Sequence, residues 1–351
     1  MMARTPTLTK NAGTGTVLDV SDLRVWYAGA GGPIKAVDGV SFRLQRGEVL
    51  GLVGESGCGK STLGRGLLGL TPSGAAMDGE ITFDGRNLVE LAAKGWPAMR
   101  GAGLGMIFQE PMTRLDPLMR ISDHFREAIR SHEKVSRAEA DRRALETLRS
   151  LGIPPSRYKN YPHEFSGGMR QRIMIALALA LQPAFVVADE PTTALDVLVE
   201  AQIIKILSQI RTTFSPAMLL ITHNLGIVGQ ACDRVAVMYA GRIVEQGTVA
   251  EVFANPQHPY TQELLGATIS LTTTELRTIP GAPPDLGNPP PGCRFHPRCP
   301  HAMAVCAERL PATTDFADGR EVECHLLQLD SLTSDERSPL TRREVLVADE
   351  A

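Results

Sequence analysis

Between Val17 and Val53 the apolar residues come in short β-rich runs, LRVWY, IKAV, VSFRL and EVLGLV, separated by Gly and Asp. Such runs predict strands joined by turns. KSTLGRGLLGL then predicts a helix, and GEITFDGRNL predicts two strand pieces around an Asp84-Gly85 turn. After GMIFQ the pattern changes. From about Ile121 to Leu151 the chain is laced with charge, and Leu145, Leu148 and Leu151 recur at helix spacing, which predicts a helical insert. Alternation resumes with the apolar helix IMIALALAL, the strand AFVVA, a helix carrying Val199, Ile203, Leu207 and Ile210 on one face, and the strands AMLLIT and RVAVMY. Apolar runs of this kind between helices predict central strands of a parallel sheet covered on both faces.

Beyond HPYTQELLGAT the segment IPGAPPDLGNPPPG is rich in proline, which holds a chain extended and marks a boundary. Four of the six cysteines, Cys293, Cys299, Cys306 and Cys324, follow within 32 residues, and DSLTSDERSPLTRREVLVADEA reads as a solvated tail. The expected organisation is an N-terminal tail (1–16), a large α/β domain (17–268) with a helical subdomain at about 110–182, a Cys-containing extension (269–330) and a polar tail (331–351).

Composition narrows the function classes. At 351 residues, 43% hydrophobic and 21% charged, the chain is long enough for one large domain and an appendage. A formal net charge of -3 argues against a whole-molecule nucleic-acid footprint, so no nucleic-acid partner is expected. The N-terminal MMARTPTLTKNAGTGTV has no apolar core, so export is not expected. The apolar run Ile173–Leu181 is nine residues, whereas a spanning helix needs about 20, so no membrane crossing is expected. Without export, clustered cysteines point to metal binding before a disulfide framework.

The strongest chemical signal is GESGCGKST: Gly54, Glu55, Ser56, Gly57, Cys58, Gly59, Lys60, Ser61 and Thr62. It fits G-x-x-x-x-G-K-[ST] and lies between a strand and a helix, where glycines let successive N–H groups curl around phosphate oxygens. Lys60 supplies a positive charge to the β and γ groups, and the Ser61 hydroxyl ligates Mg²⁺. A chance glycine turn is the alternative, and the strand–loop–helix context argues against it. Such a loop needs acids at the end of a neighbouring strand. AFVVADE offers Asp189, reaching the metal through water, and Glu190 as general base; capping of the next helix is the bland alternative. Gln109 and His223 each close a predicted strand at the edge where open α/β sheets bind ligands, and they suggest a metal-linked contact and a γ-phosphate sensor. A second anion site is predicted at FSGGMRQR, where Ser166, Gly167, Gly168 and Met169 open a helix and Arg170 and Arg172 keep the region positive.

With GESGCGKST, IFQEP, FSGGMRQR, VVADEP, TALD and ITHN in this order, the chain resembles the nucleotide-binding subunit of an ATP-binding cassette transporter over roughly 17–254. FQEPMTRLDP, YPHEFSGGMRQR, HPYTQELL and IPGAPPDLGNPPPGCRFHPRC are similar to the ATPase subunits of bacterial dipeptide and oligopeptide permeases. The resemblance implies an α/β P-loop NTPase cassette: a parallel-sheet core with an antiparallel β subdomain and a helical subdomain, plus a small C-terminal Cys-rich extension. It implies that Tyr27 stacks on adenine, that Gln109 links Mg²⁺ to the membrane partner, that Ser166 to Met169 form the signature, and that His223 is the switch histidine. Thr193 to Asp196 would touch the opposite subunit. Two such domains face each other head to tail, so Ser166, Gly167 and Gly168 serve a partner's ATP while Lys60 serves this chain's own. Met169 favours a heterodimer with a second cassette ATPase. The implied partners are that ATPase, two transmembrane permease subunits and, indirectly, an extracytoplasmic substrate-binding protein. The implied location is peripheral, on the cytoplasmic face of the inner membrane.

The cysteine spacing, C-x5-C-x6-C-x17-C, lacks the C-x2-C pairs of ordinary zinc ribbons and the compact run of small ferredoxins, so spacing alone names no metal. The resemblance implies a four-iron four-sulfur (4Fe-4S) cluster at Cys293, Cys299, Cys306 and Cys324, structural in role, with zinc or free or disulfide-linked thiols as alternatives. Two further functions compete with an ATPase for peptide import: a soluble cassette ATPase acting on nucleic acid in repair or translation, and an iron–sulfur redox module with a nucleotide-regulated domain.

Overall fold

The computed structural model describes residues 15–90, 95–108, 115–191, 197–267 and 279–340, with the backbone alone for 197–203. The chain opens with two long strands, β1 (Thr16–Gly29) and β2 (Gly32–Gln45), followed by β3 (Val49–Val53) and helix α1 (Lys60–Gly66). β4 (Ala76–Phe83), β5 (Arg86–Asn87), α2 (Trp96–Met99) and β6 (Leu104–Ile107) come next. The first sheet is antiparallel, in the order β2-β1-β4-β5. IKAV and VSFRL, expected as separate strands, are one strand, β2. The intervening Asp38-Gly39 is absorbed by a shift in pairing between Leu23↔Val40 and Arg24↔Asp38, with Gly39 at φ +85°. A glycine that reads as a turn here makes a bulge.

Three helices, α3 (Ile121–His132), α4 (Arg137–Ser150) and α5 (Gly167–Leu179), form the expected helical group. Ile121, Phe125 and Ile129 of α3 are buried at four-residue spacing, beside Ala140, Ala144 and Leu148 of α4. Of the three leucines expected to pack, Leu148 and Leu151 are buried and Leu145 is half-buried.

The second half alternates: β7 (Phe185–Asp189), α6 (Val197–Phe214), β8 (Ala217–Ile221), α7 (Leu225–Ala231), β9 (Arg234–Tyr239), β10 (Arg242–Thr248), α8 (Val249–Ala254) and α9 (Pro259–Gly266). In the main sheet β9, β3, β8, β7 and β6 lie side by side and parallel. β3, β7 and β8 are buried at every position because both faces are covered. Alternate residues feed opposite cores: Val187, Leu219 and Leu52 pack towards the antiparallel sheet, whereas Val186, Leu220 and Val49 pack with the helical group. Leu207 and Ile210 of α6 are buried as expected. The side chains of Val199 and Ile203 lie outside the described residues.

Past the proline-rich segment the chain forms α10 (Ala304–Glu308), β11 (Thr313–Asp315) and β12 (Glu321–Glu323). β12 pairs antiparallel with β10, so the C-terminal segment extends the edge of the main sheet. Arg242 holds Glu323 through two hydrogen bonds of 2.9 and 3.0 Å, and Gln246 donates to Glu321 at 2.8 Å.

Candidate functional site

β3 delivers the chain into the phosphate loop at the carboxyl edge of the main sheet. Gly54 and Gly59 have φ of +154° and +106°, and a Cβ there would lie 2.1 Å from the Met238 carbonyl oxygen and 1.9 Å from that of Ala36. Both positions require glycine for conformation and for space. Ser56 and Gly57 are exposed, whereas Cys58 is buried. Burial pushes the Cys58 thiol up despite the neighbouring Lys60, so it stays neutral and fills space. Lys60 is 6% exposed, and its Nζ donates to the carbonyls of Gly54 and Glu55 at 2.8 Å each. Gly59 is the N-cap of α1 and makes no side-chain cap, so a ligand can use the first-turn N–H groups. Tyr27, half-buried on β1, donates from its hydroxyl to Thr62 Oγ1 at 3.1 Å, which brings the expected adenine-stacking residue to the loop.

The acids arrive on the next strands. β8 lies beside β3, and β7 beside β8 with Asp189 paired to Ile221. Asp189, 2% exposed, accepts a 2.8 Å hydrogen bond from Ser61 Oγ. Burial raises its carboxyl pKa, and the Ser61 hydroxyl opposes this. A hydroxyl and a carboxylate in contact on rigid elements are hard oxygen donors of the kind Mg²⁺ takes alongside water and phosphate oxygens, so these residues fit that ion. Glu190 follows with φ +44°, its N–H bonded to the Ile221 carbonyl at 2.9 Å. Its Oε2 lies 3.7 Å from His223 Nδ1, with His223 65% and Glu190 19% exposed. A left-handed glutamate costs about 1 kcal/mol or more, and such strain concentrates at functional sites.

The FSGGMRQR motif opens α5. Ser166 caps α5, its Oγ accepting from the Met169 N–H at 3.4 Å, while Phe165 is buried and Ser166 and Gly167 are exposed. At Gly167 a Cβ would meet nothing within 4 Å. Gln171, buried within the same motif, donates to the Pro191 carbonyl at 2.8 Å and ties this helix to the residue after Glu190. Sequence reasoning passed over Gln171, although a glutamine in an apolar helix is a signal for a buried polar tie. Gln109 and Thr193 to Asp196 lie outside the described residues.

The iron–sulfur expectation is overturned. Among the described residues no group of three or more His, Cys, Asp or Glu side chains is arranged to hold a metal ion, and Cys293, Cys299, Cys306 and Cys324 are all free. Burial pushes all four thiols up, Cys299 to about 12 and Cys324 to about 11. Three of them pack as small apolar groups: Cys293 and Cys299 against the core cluster that includes Tyr239 and Phe295, and Cys306 with Met303, Val305 and Leu332.

A glycine loop between a central parallel strand and a helix, with a hydroxyl–carboxylate pair and a glutamate on neighbouring strand ends, defines a P-loop nucleoside triphosphatase. The family profile described as ABC transporter matches residues 37–193, and that described as oligopeptide/dipeptide transporter, C-terminal region, matches residues 244–306. The dipeptide transport ATP-binding protein DppD of Bacillus subtilis is 48% identical over 316 residues, 88% of this chain and 94% of that protein. The oligopeptide transport ATP-binding protein OppD of Salmonella typhimurium is 46% identical over 312 residues, 88% and 93% of the two chains. The solved structure of cbiO1 from Clostridium perfringens, part of the ABC transporter complex cbiONQ, superposes with a TM-score of 0.59 at 30% identity, covering 68% of this chain and 91% of that one. The chain belongs to the family of ABC transporter ATP-binding proteins, in the branch that carries the oligopeptide/dipeptide transporter C-terminal region.

Proposed function

We infer that this chain is the ATP-hydrolysing subunit of a membrane importer for dipeptides or oligopeptides. The observation that carries the reading is the meeting of Lys60, Ser61, Asp189, Glu190 and His223 on three adjacent strand ends, with Ser61 and Asp189 2.8 Å apart. The names of the DppD and OppD relatives support peptide transport over a nucleic-acid role.

In this reading the loop N–H groups and Lys60 bind the triphosphate, and Tyr27 holds the base. Ser61 and Asp189 would hold Mg²⁺, with Gln109 as a further contact. Bound Mg²⁺ neutralises charge on the phosphate oxygens. Glu190 accepts the proton of the attacking water, and His223, 3.7 Å from it, senses the γ-phosphate. Ser166, Gly167, Gly168 and Met169 serve the nucleotide of a second cassette ATPase, with Met169 favouring a heterodimer. Among the described residues no helix is long and apolar enough to cross a membrane. We assign the chain a peripheral position at the cytoplasmic face of the membrane, against two permease subunits fed by an extracytoplasmic binding protein.

Glu190→Gln is expected to keep ATP binding while phosphate release in the assembled transporter falls by about 10²-fold or more. Full turnover by that variant would remove Glu190 from the role of base.

A further inference from the structure

The phosphate loop is gripped from behind by the C-terminal segment. Arg298, 8% exposed, meets Glu55 through both nitrogens of its fork, Nη1 to Oε2 at 2.6 Å and Nη2 to Oε1 at 3.0 Å. The same guanidinium donates from Nε to the Pro280 carbonyl at 2.8 Å and from Nη1 to the Tyr239 hydroxyl at 3.3 Å, so its donors are held on several sides. The Glu55 N–H donates to the Tyr260 hydroxyl at 2.9 Å. Tyr239, Tyr260 and Phe295 pack with ring centroids 4.6 to 5.4 Å apart and stiffen this support. The proline-rich segment runs close by: a cavity of about 70 Å³ separates Glu55, Gly57 and Cys58 from Pro283, Pro284 and Leu286.

Two consequences follow for a triphosphate at this loop. The Gly54 and Glu55 carbonyls hold Lys60 Nζ, so the placement of Glu55 sets the placement of the lysine charge. Arg298 also cancels the charge of a carboxylate that lies in the loop itself, and a bidentate arginine does both at once.

We propose that Arg298 is a positioning residue for ATP, acting through Glu55 to hold the phosphate loop in its receptive shape, so that the C-terminal segment sets the cassette's affinity for nucleotide. This rests on reading residues 54–62 as the ATP site. The contact exists before any nucleotide arrives. Losing it therefore weakens ground-state and transition-state binding alike, raising Kd and KM while kcat at saturating ATP holds.

The test is calorimetric titration of Mg-ATP into the full-length chain, with KM and kcat from phosphate release by the assembled transporter. Arg298→Met is expected to weaken Kd and raise KM about tenfold with kcat within about twofold. In a Glu55→Gln background Arg298→Met is expected to change Kd by less than about twofold, because the arginine acts through that carboxylate, whereas a role independent of Glu55 would still cost about tenfold there. A Kd for Arg298→Met within about twofold of wild type, or a further loss of about tenfold when it is added to Glu55→Gln, overturns the proposal. Should Arg298→Met not fold, Arg298→Lys with and without Glu55→Gln carries the same comparison, because lysine lacks the fork. Lys60→Ala separates the two readings. Loss of binding there with none in Arg298→Met sinks only the role of Arg298, whereas normal binding in Lys60→Ala sinks the ATP site itself.

Discussion

Helix α1 begins behind Gly59 and helix α5 begins on Gly167 and Gly168 behind Ser166, yet their surroundings are opposite. At α1 the loop is strained and anchored from distant segments: Gly59 is left-handed against the Ala36 carbonyl, Lys60 is buried and bonded to the loop's own carbonyls, and Arg298 and Tyr260 brace Glu55. At α5 the motif has no left-handed residue from Ser166 to Met169; Ser166 is an extended cap, and Ser166 and Gly167 are exposed. A strained loop braced by residues far apart in sequence is shaped within one chain. A regular, exposed helix start is shaped for something that arrives from outside. This difference is the physical basis for assigning the first site to this chain's nucleotide and proposing the second for a partner's.

The comparison breaks most readily by charge. Gly167→Asp places a carboxylate where the signature is proposed to meet a partner's γ-phosphate, and is expected to lower hydrolysis by the assembled transporter by about 10²- to 10³-fold. The isolated variant should still bind ATP within about twofold of wild type, and a matching loss of binding would show that the signature serves its own chain.

Next comes strain. Gly59→Ala forces a Cβ to within 1.9 Å of a carbonyl oxygen at φ +106° and is expected to cost about 3 kcal/mol or more, whereas Gly167→Ala should stay within about 0.5 kcal/mol. Urea unfolding of the two variants checks the contrast.

Acid should act on one side alone. His258, buried, caps α9 by accepting the Tyr260 N–H at 3.0 Å, and Tyr260 in turn supports Glu55. Burial lowers its pKa from 6.5 to about 3. The unfolded chain therefore takes up a proton that the folded chain refuses: the contribution is fully present above pH 6.5 and is lost as pH falls toward 3. Between pH 6.5 and 5 the expected loss relative to His258→Gln is about 2 kcal/mol, read from denaturation midpoints across pH. The α5 cap is a serine hydroxyl and does not titrate there. Its removal in Ser166→Ala gives a smaller, pH-independent loss of about 1 kcal/mol in thermal unfolding.

Much of the catalytic half was legible because its signals are local. The loop Gly54–Thr62, the acids behind AFVVA and the histidine behind AMLLIT each announce themselves within a few residues, and apolar runs told which strands are central. The sequence misled where a local signal has two physical outcomes. Asp38-Gly39 reads as a turn but is a bulge, because the partner strand β1 is long enough to continue past it. Four clustered cysteines read as a metal centre, but among the described residues no side chains are grouped to hold a metal, and Cys293, Cys299 and Cys306 pack in apolar clusters that include Tyr239, Phe295 and Met303. Gln171 and Arg298 were passed over, since nothing beside them in sequence names the carbonyl or carboxylate they meet.

By itself the sequence determined which residue types stand at and beside the strand ends: glycines where the loop curves, a lysine and a serine opening the helix, and acids and a histidine behind the neighbouring strands. Tertiary structure alone decided that the C-terminal segment joins the main sheet through β12 and that Arg298 reaches Glu55 across 243 positions. Motifs are legible because covalent connection places their members side by side. A contact between distant segments exists only once packing has brought them together, and no pattern within either segment records it.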